Sequence, residues 1–211
     1  MDIETAVKEL EEKCQAARAA SRRLAYTPTV VKNQALKNIA SDLLAKKDEI
    51  LDANEADLKE GRASGLTGAF YERLKLTQST IEGMAKDVLS VAALPDPVGE
   101  VFDMKTLENG LLAGKKRVPL GVIAAIYESR PNVTTDISSL CLKSGNAVIL
   151  RGGREALHSN RTIARIVMGA ATRAGIPDGA VQFIDNTDHA LVNRLLRMNK
   201  YIDLIVPRGG S

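Results

Sequence analysis

The chain has 211 residues, a length that accommodates one ordinary domain or one large and one small domain. Hydrophobic residues make up 45% of it and charged residues 26%, which is typical of a globular protein and excludes a disordered one. A formal net charge of only +3, few aromatic side chains and no tryptophan argue against a dedicated nucleic-acid binder.

Neither a targeting segment nor a membrane-spanning segment is evident. The amino terminus is acidic, unlike a signal peptide, and no apolar run approaches the ~18 residues of a membrane helix. The two cysteines, Cys14 and Cys141, match neither a disulfide framework nor a zinc motif. Cys141 lies among leucines on a predicted helix and is expected to be a buried, unreactive thiol. These features predict a cytoplasmic protein without a metal site.

The charge is distributed unevenly along the chain. Residues 1–110 carry 15 basic and 19 acidic side chains, whereas residues 111–211 carry 14 basic and 7 acidic ones. A basic half on a nearly neutral chain indicates either an anionic small-molecule ligand or an ordinary basic surface.

The first hundred residues are predicted to be helical. Apolar residues recur with helical spacing over residues 36–44 and again over residues 81–89. Thr77 is the expected N-cap of the second of these helices. Asn109 and Gly110 separate two short segments and predict a β-hairpin.

Strands alternate with helices in the rest of the chain. The four strands are predicted at residues 121–127, 147–150, 180–184 and 201–206. Helices are predicted between them, and Thr187 is the expected cap of the last. The βαβαβαβ order predicts an α/β protein with a mostly parallel sheet, in which ligands bind outside the carboxyl ends of the strands.

The loop that starts at Arg151, Gly152 and Gly153 is the main candidate site. Glycine lets backbone N–H groups approach a phosphate and arginine adds a complementary charge, although a tight turn with a solvated arginine has the same sequence. Residues 208–210 repeat these ingredients. No G-x-G-x-x-G follows the first strand, so the usual dinucleotide fingerprint is missing. Asn132 is a candidate oxyanion donor or a cap of the next helix.

Long segments of the chain closely resemble the γ-glutamyl phosphate reductase family, within the aldehyde dehydrogenase superfamily. They include RVPLGVI at residues 117–123, YESRPNVT at 127–134 and SLCLKSGNAVILRGG at 139–153. The resemblance extends over essentially all 211 residues. It implies a Rossmann-like cofactor domain, with residues 1–100 as its helical N-terminal part and residues 119–211 as its NADPH-binding part. Residues 101–118 would be a strand excursion for oligomerisation, and the catalytic domain would be absent.

The resemblance also implies an activity. The family reduces γ-glutamyl phosphate with NADPH to glutamate 5-semialdehyde and releases phosphate, in proline biosynthesis. Its catalytic cysteine lies in the second half of the protein, and neither Cys14 nor Cys141 matches that motif. The chain is therefore expected to be inactive alone. Its expected partners are γ-glutamyl phosphate, further copies of itself and glutamate 5-kinase, with no nucleic acid and no membrane.

The resemblance carries over the following site residues. Asn132 is the candidate for the oxyanion asparagine of the superfamily, as a catalytic residue. The residues expected to contact the cofactor are Arg151, Gly152, Gly153, Asp185, Asn186, Arg208, Gly209 and Gly210.

Other interpretations stay open. The chain ends on a strand and a Gly-rich loop, which predicts the front part of something longer. It is alternatively a non-catalytic cofactor-binding or assembly fragment that pairs with a full-length reductase. The reductase part of an enzyme that also carries the kinase is a weaker alternative. A different aldehyde dehydrogenase is weaker still, since residues 127–132 lack a Pro-Trp-Asn pattern.

Overall fold

The computed structural model describes residues 3–208. Helices come first among these residues, and they are α1 (Ile3–Leu24), α2 (Thr29–Ala45), α3 (Lys47–Ala63), α4 (Gly68–Leu74) and α5 (Gln78–Ala93). An antiparallel hairpin follows, formed by β1 (Val101–Thr106) and β2 (Leu112–Lys116). Strands and helices then alternate as β3 (Val122–Tyr127), α6 (Val133–Lys143), β4 (Ala147–Arg151), α7 (Leu157–Arg173), β5 (Val181–Phe183), α8 (His189–Leu195) and β6 (Leu204–Arg208).

The four strands β3 to β6 form one parallel sheet in the order β5-β4-β3-β6. Side chains alternate between its two faces, as the pleat of a strand requires. On β4, Val148 and Leu150 join a core with α2, α5, α6 and α7, whereas Ala147 and Ile149 join a core with α1 and α8. The sheet is thus buried on both faces, which confirms the predicted α/β fold with a parallel sheet.

Several local predictions are confirmed. The helix α5 begins after Thr77, whose side chain accepts a hydrogen bond from the backbone N–H of Thr80 at 3.1 Å. The hairpin β1–β2 turns at Gly110, where φ is +83° and favours glycine. Each of the four predicted strands is present. Six of their eight ends differ from the predicted ends by one to three residues, and the other two agree.

Two details of the last βα unit were predicted wrongly. The cap of α8 is Asp188, whose carboxylate accepts from the backbone N–H of Ala190 at 2.8 Å. Thr187 lies one residue too early, and its carbonyl instead accepts a bond from Arg151. The last strand was placed three residues early, since residues 201–203 form a turn before β6. Pro207 lies inside β6, which is tolerated because β6 is an edge strand.

Two buried lysines join α2 and α6 to the end of α5 and the segment that follows it. The ammonium group of Lys32 on α2 pairs with Asp96 at 2.5 Å, and Lys32 is only 1% exposed. Lys143, at the end of α6, donates to the side chain of Asn33 at 2.6 Å and to the carbonyl of Ala92 at 2.9 Å. Burial lowers the pKa of Lys143. Such charges are costly to bury, so each needs these partners in place.

Replacement of Asp96 should destabilise the fold strongly. Burial acts to raise the pKa of Asp96, but hydrogen bonds from Lys32, Thr29 and the Val98 N–H hold it below its ordinary value. Its contribution to stability is therefore present above about pH 4 and lost as the pH falls through the lowered pKa. We expect Asp96→Ala to cost about 3–5 kcal/mol of unfolding free energy at pH 7, because Lys32 is left buried without a counter-charge.

Urea denaturation of the unaltered chain and of Asp96→Ala between pH 3 and pH 7 checks this expectation. Glu100→Ala is the matched control, because Glu100 pairs with Arg117 where both side chains are 55% exposed. The control should change stability by less than about 0.5–1 kcal/mol. Equal effects of the two substitutions would contradict a special role for the buried pair.

Candidate functional site

The carboxyl ends of the four parallel strands open onto one edge of the sheet, and a large cavity lies there. This main cavity has a volume of about 860 Å³. It is lined by the loops after β3, β4 and β5 and by the segment around α4, and its residues are Leu66, Phe70, Glu128, Ser129, Arg151, Gly153, Arg154, Glu155, Asn186, Thr187, Asp188 and His189. Its position is where ligands bind in open α/β sheets.

A carboxylate joins the loops after β3 and β4. Glu155 accepts a hydrogen bond from the backbone N–H of Ser129 at 2.6 Å and another from its hydroxyl at 2.8 Å. Ser129 is 8% exposed and has a φ of +32°, an unfavourable value for a residue with a side chain. A strained residue held in place beside a cavity is a common feature of binding sites.

Arg151 lines the main cavity, as the sequence predicted for a binding residue of this loop. The Arg151 side chain donates from Nη2 to the carbonyl of Thr187 at 2.7 Å, and the residue is 8% exposed. Within residues 3–208 its Nε has no hydrogen-bond partner. Burial lowers the pKa of Arg151, and the nearby charge of Glu155 opposes this shift. The guanidinium group therefore both fixes the loop before α8 and retains an unused donor.

The two glycines after Arg151 have different roles. Gly153 lines the main cavity, and a Cβ there would displace the flexible carboxylate of Glu155. Gly152 is buried and packs on Asn160, whose Nδ2 occupies the space that a Cβ would need. The Oδ1 atom of Asn160 accepts from Thr134 at 3.0 Å. Gly152 therefore permits close packing of β4 against α7.

The amino terminus of α7 is already occupied by a carboxylate from α3. Asp57 accepts from the backbone N–H of His158 at 2.9 Å and of Ser159 at 2.8 Å, and also from the Ser159 hydroxyl at 2.6 Å. Burial raises the pKa of Asp57 despite these bonds. Because Asp57 fills the position where α/β proteins often bind phosphate, an anion in the main cavity must use side chains and loop groups.

The structure separates the two residues expected to contact a cofactor after β5. Asn186 lines the main cavity, and its side chain accepts from the N–H of Asp188 at 2.9 Å. Asp185 faces a different groove beside α7, where it pairs with Arg161 at 2.5 Å and Lys13 at 3.5 Å. A cofactor contact by Asp185 remains a prediction.

The other selected residues lie outside the main cavity. Asn132 stands at the N-cap position of α6 without a side-chain capping bond, so the capping alternative is wrong. Its Nδ2 donates to Asp136 at 3.1 Å, and its oxyanion role remains a prediction. Arg208 lines a second cavity of about 340 Å³ beside the first. Gly209 and Gly210 lie outside the described residues.

Most lining residues of the main cavity were not selected as site residues from the sequence, and Arg154 and Phe70 show why. Arg154 is exposed within the same loop as Arg151, and the sequence does not tell which of the two arginines becomes buried. Phe70 on α4 is 53% exposed and lines both cavities. It is more than fifty residues from β3 in the chain, and nothing near it signals a site.

Both cysteine thiols are buried away from the main cavity. Cys14 on α1 donates its S–H to the sulfur of Met198 at 3.4 Å, and Cys141 lies on α6. Burial raises the pKa of each thiol to about 12, with a smaller contribution from Glu11 at Cys14. The expectation that Cys141 is a buried thiol is confirmed.

Residues 3–208 contain neither a membrane-spanning helix nor a metal-binding cluster. No helix in that part of the chain is both long and apolar enough to cross a membrane. No group of three or more His, Cys, Asp or Glu side chains there is arranged to hold a metal ion.

Comparison with known proteins assigns the family. A model of the aldehyde dehydrogenase family matches residues 3–211. The chain belongs to the aldehyde dehydrogenase family. Membership of this family implies a nicotinamide cofactor.

Relatives within the aldehyde dehydrogenase family confirm the resemblance noted from the sequence. The chain is 60% identical over 209 residues to a γ-glutamyl phosphate reductase of Dehalococcoides mccartyi. The matched segment covers 99% of this chain and 49% of that protein. The crystal structure of the Thermotoga maritima γ-glutamyl phosphate reductase superposes with a TM-score of 0.93 at 43% identity, over 96% of this chain and 49% of that one. The Saccharomyces cerevisiae enzyme gives a TM-score of 0.89 at 35% identity, over 96% and 51%. The chain thus spans about half the length of these relatives.

Gly152→Ala should destabilise the protein. The added methyl group overlaps buried Asn160, which has little room to move, and such overpacking costs about 1–3 kcal/mol. Gly83→Ala is the control, because a Cβ on this α5 residue meets nothing within 4 Å. It should stabilise the helix by about 0.5–1 kcal/mol. Thermal unfolding of both variants provides the measurement. Unchanged stability of Gly152→Ala would show that the Asn160 side chain can move aside at no cost and would contradict the prediction.

Proposed function

We propose that the chain forms the NADPH-binding portion of a γ-glutamyl phosphate reductase. The proposed reaction reduces γ-glutamyl phosphate to glutamate 5-semialdehyde with release of phosphate, in proline biosynthesis in the cytoplasm. The observation that carries the proposal is the main cavity, which joins a buried arginine with a free donor, a glycine turn and a second arginine at the edge where such sheets bind ligands. The similarity to γ-glutamyl phosphate reductases supports the same activity.

The residues of the main cavity suit a phosphorylated dinucleotide. Arg151 has an unused Nε donor, and Arg154 beside it forms no ion pair within residues 3–208. Three carboxylates also line the cavity; Glu155 accepts from Ser129, Asp188 caps α8, and Glu128 is the third. The two arginines are the lining groups whose charge suits a 2′-phosphate. Gly209 and Gly210 remain predicted contacts of the pyrophosphate or the nicotinamide, whereas Arg208, predicted with them, lines the neighbouring cavity and would contact either the cofactor or an anion bound there.

The protein's own groups would hold and orient the reactants. NADPH supplies the hydride when bound, and the loops after β3 and β4 form a rigid wall for it. Asn132 is the proposed donor to the developing oxyanion, and its bond to Asp136 fixes the direction of its amide. The nucleophile must come from outside residues 3–208, since neither buried thiol reaches the cavity.

The hairpin β1–β2 supports self-association. It is exposed over nearly its whole length, and it carries exposed apolar side chains that include Val101, Met104 and Leu112. We infer that it contacts a second copy of the chain, because exposed apolar residues on a projecting arm mark an interaction site. The same observation favours a second candidate function, in which the chain is an assembly fragment that pairs with a full-length reductase. Glutamate 5-kinase, which would supply the acyl phosphate, is the other proposed partner.

The isolated chain should show no steady turnover with NADPH and γ-glutamyl phosphate. Neither thiol forms an appreciable amount of thiolate near pH 8, because burial raises the pKa of both to about 12. Loss of NADPH absorbance is the measurement, with a full-length reductase as the positive control. An aromatic disulfide reagent should label the thiols only after unfolding. Sustained turnover by the chain alone would contradict the inactivity proposal.

Arg154→Gln should weaken binding of NADPH and not of NADH. Loss of one charge-assisted hydrogen bond to the 2′-phosphate corresponds to about a tenfold loss of affinity. Calorimetric titration with each dinucleotide gives the comparison. Arg22→Gln is the matched control, because Arg22 belongs to the other end of the sheet. It lies one turn beyond Arg18 on α1, and Arg18 pairs with Asp203, which precedes β6 at the amino ends of the strands. An equal loss for NADH would show that Arg154 does not read the 2′-phosphate.

A further inference from the structure

A second cavity beside the main one is lined by three arginines from separate parts of the chain. This arginine cavity has a volume of about 340 Å³. Arg73 comes from α4, Arg130 from the loop after β3 and Arg208 from the end of β6. The remaining lining residues, Phe70, Glu128 and Ser129, also line the main cavity, so the two spaces are neighbours.

None of the three guanidinium groups forms an ion pair within residues 3–208. Arg73 instead lies over the ring of Phe70, with 5.6 Å from its guanidinium carbon to the ring centre. The arginines of α7 behave differently, because Arg165 and Arg173 are paired with acidic residues of α3 and α2. Three arginines without an ion-pair partner among the described residues thus line one cavity.

The acidic groups near the cavity are fewer than the basic ones. Glu128 is the carboxylate among its lining residues. The second is Asp136 on α6. Burial and the charge of Asp87 raise the pKa of this carboxyl, and the nearby charge of Arg208 acts in the opposite direction. Three positive charges around a space of this size repel one another, and a bound anion would relieve that repulsion.

We propose that the arginine cavity binds the anionic groups of the substrate, a phosphoryl group together with a carboxylate. This rests on the proposed function, in which the substrate is an acyl phosphate of an amino acid. Guanidinium groups match both anions, because their planar fork donates two parallel hydrogen bonds to phosphate or carboxylate oxygens. Three arginines from three elements suit a ligand with two anionic ends better than a single point charge.

The arrangement of the two cavities supports this division. The main cavity lies at the ends of β3, β4 and β5, whereas the arginine cavity lies at the ends of β3 and β6. Ser129 forms part of both walls, so ligands in the two cavities would meet at the loop after β3. A cofactor in the main cavity would then lie next to a substrate held by its anionic groups, as hydride transfer requires.

Titration with inorganic phosphate at constant ionic strength tests the proposal. We expect Arg73→Gln, Arg130→Gln and Arg208→Gln each to weaken phosphate binding about tenfold, since each removes charge-assisted hydrogen bonds. Arg73→Lys should bind better than Arg73→Gln, because it keeps the charge, but worse than the unaltered chain. Arg22→Gln should have no effect. Chemical shifts of backbone amides near residues 128–130 report the binding, and thermal unfolding confirms that each variant is folded.

The same titration with saturating NADPH distinguishes the source of the anion. Persistent, arginine-dependent phosphate binding supports the proposal. Displacement of phosphate by NADPH overturns it, because the arginines would then serve the phosphates of the cofactor. Phosphate binding that is absent, or equal in all variants, overturns it whatever NADPH does. Arginine-dependent phosphate binding in a chain that does not bind NADPH supports the anion cavity and contradicts the proposed function instead.

Discussion

The bond between the Glu155 carboxylate and Ser129 determines the shape of the site. Ser129 has a backbone conformation that costs about 1–3 kcal/mol, and the two short hydrogen bonds that it donates to one carboxylate offset that cost. The loop after β3 is thereby fixed to the loop after β4, and it forms a wall shared by both cavities. Without this link, the end of β3 would be free to adopt an ordinary conformation, and the boundary between the two cavities would be lost.

Helix α3 decides how an anion is bound. Its Asp57 caps α7 from outside, so the positive end of that helix stabilises the fold and is not available to a ligand. The absence of a G-x-G-x-x-G motif has the same physical meaning, because that motif serves to bring a phosphate to a helix terminus. A phosphate beside α7 would therefore be recognised by side chains and loop groups, among which guanidinium groups carry the matching charge. Arg151 and Arg154 in one cavity, with three more in the other, fit that requirement.

The sequence predicts this architecture well because the strands and helices of the second half are encoded locally. Apolar strands alternate with amphipathic helices, and glycine and proline mark the ends. The details that were missed depend on contacts between distant residues. Thr187 and Asp188 are both good caps, and the bond from Arg151 to the Thr187 carbonyl accompanies the use of Asp188. Similarly, no local pattern shows that Phe70 and Arg73 lie beside the loop after β3, since their position follows from how α4 packs on α3.

The uneven charge of the chain has two physical uses. Part of the basic excess of the second half pairs with the acidic first half, as between α7 and the carboxylates of Asp42 and Glu49, and this joins the helical layers. Another part lies at the carboxyl edge of the sheet, where Arg130, Arg151, Arg154 and Arg208 line the two cavities. Of the two interpretations left open by composition, an ordinary basic surface explains the paired arginines. An anionic ligand explains the arginines that line the two cavities, because like charges gathered there repel one another unless an anion binds between them.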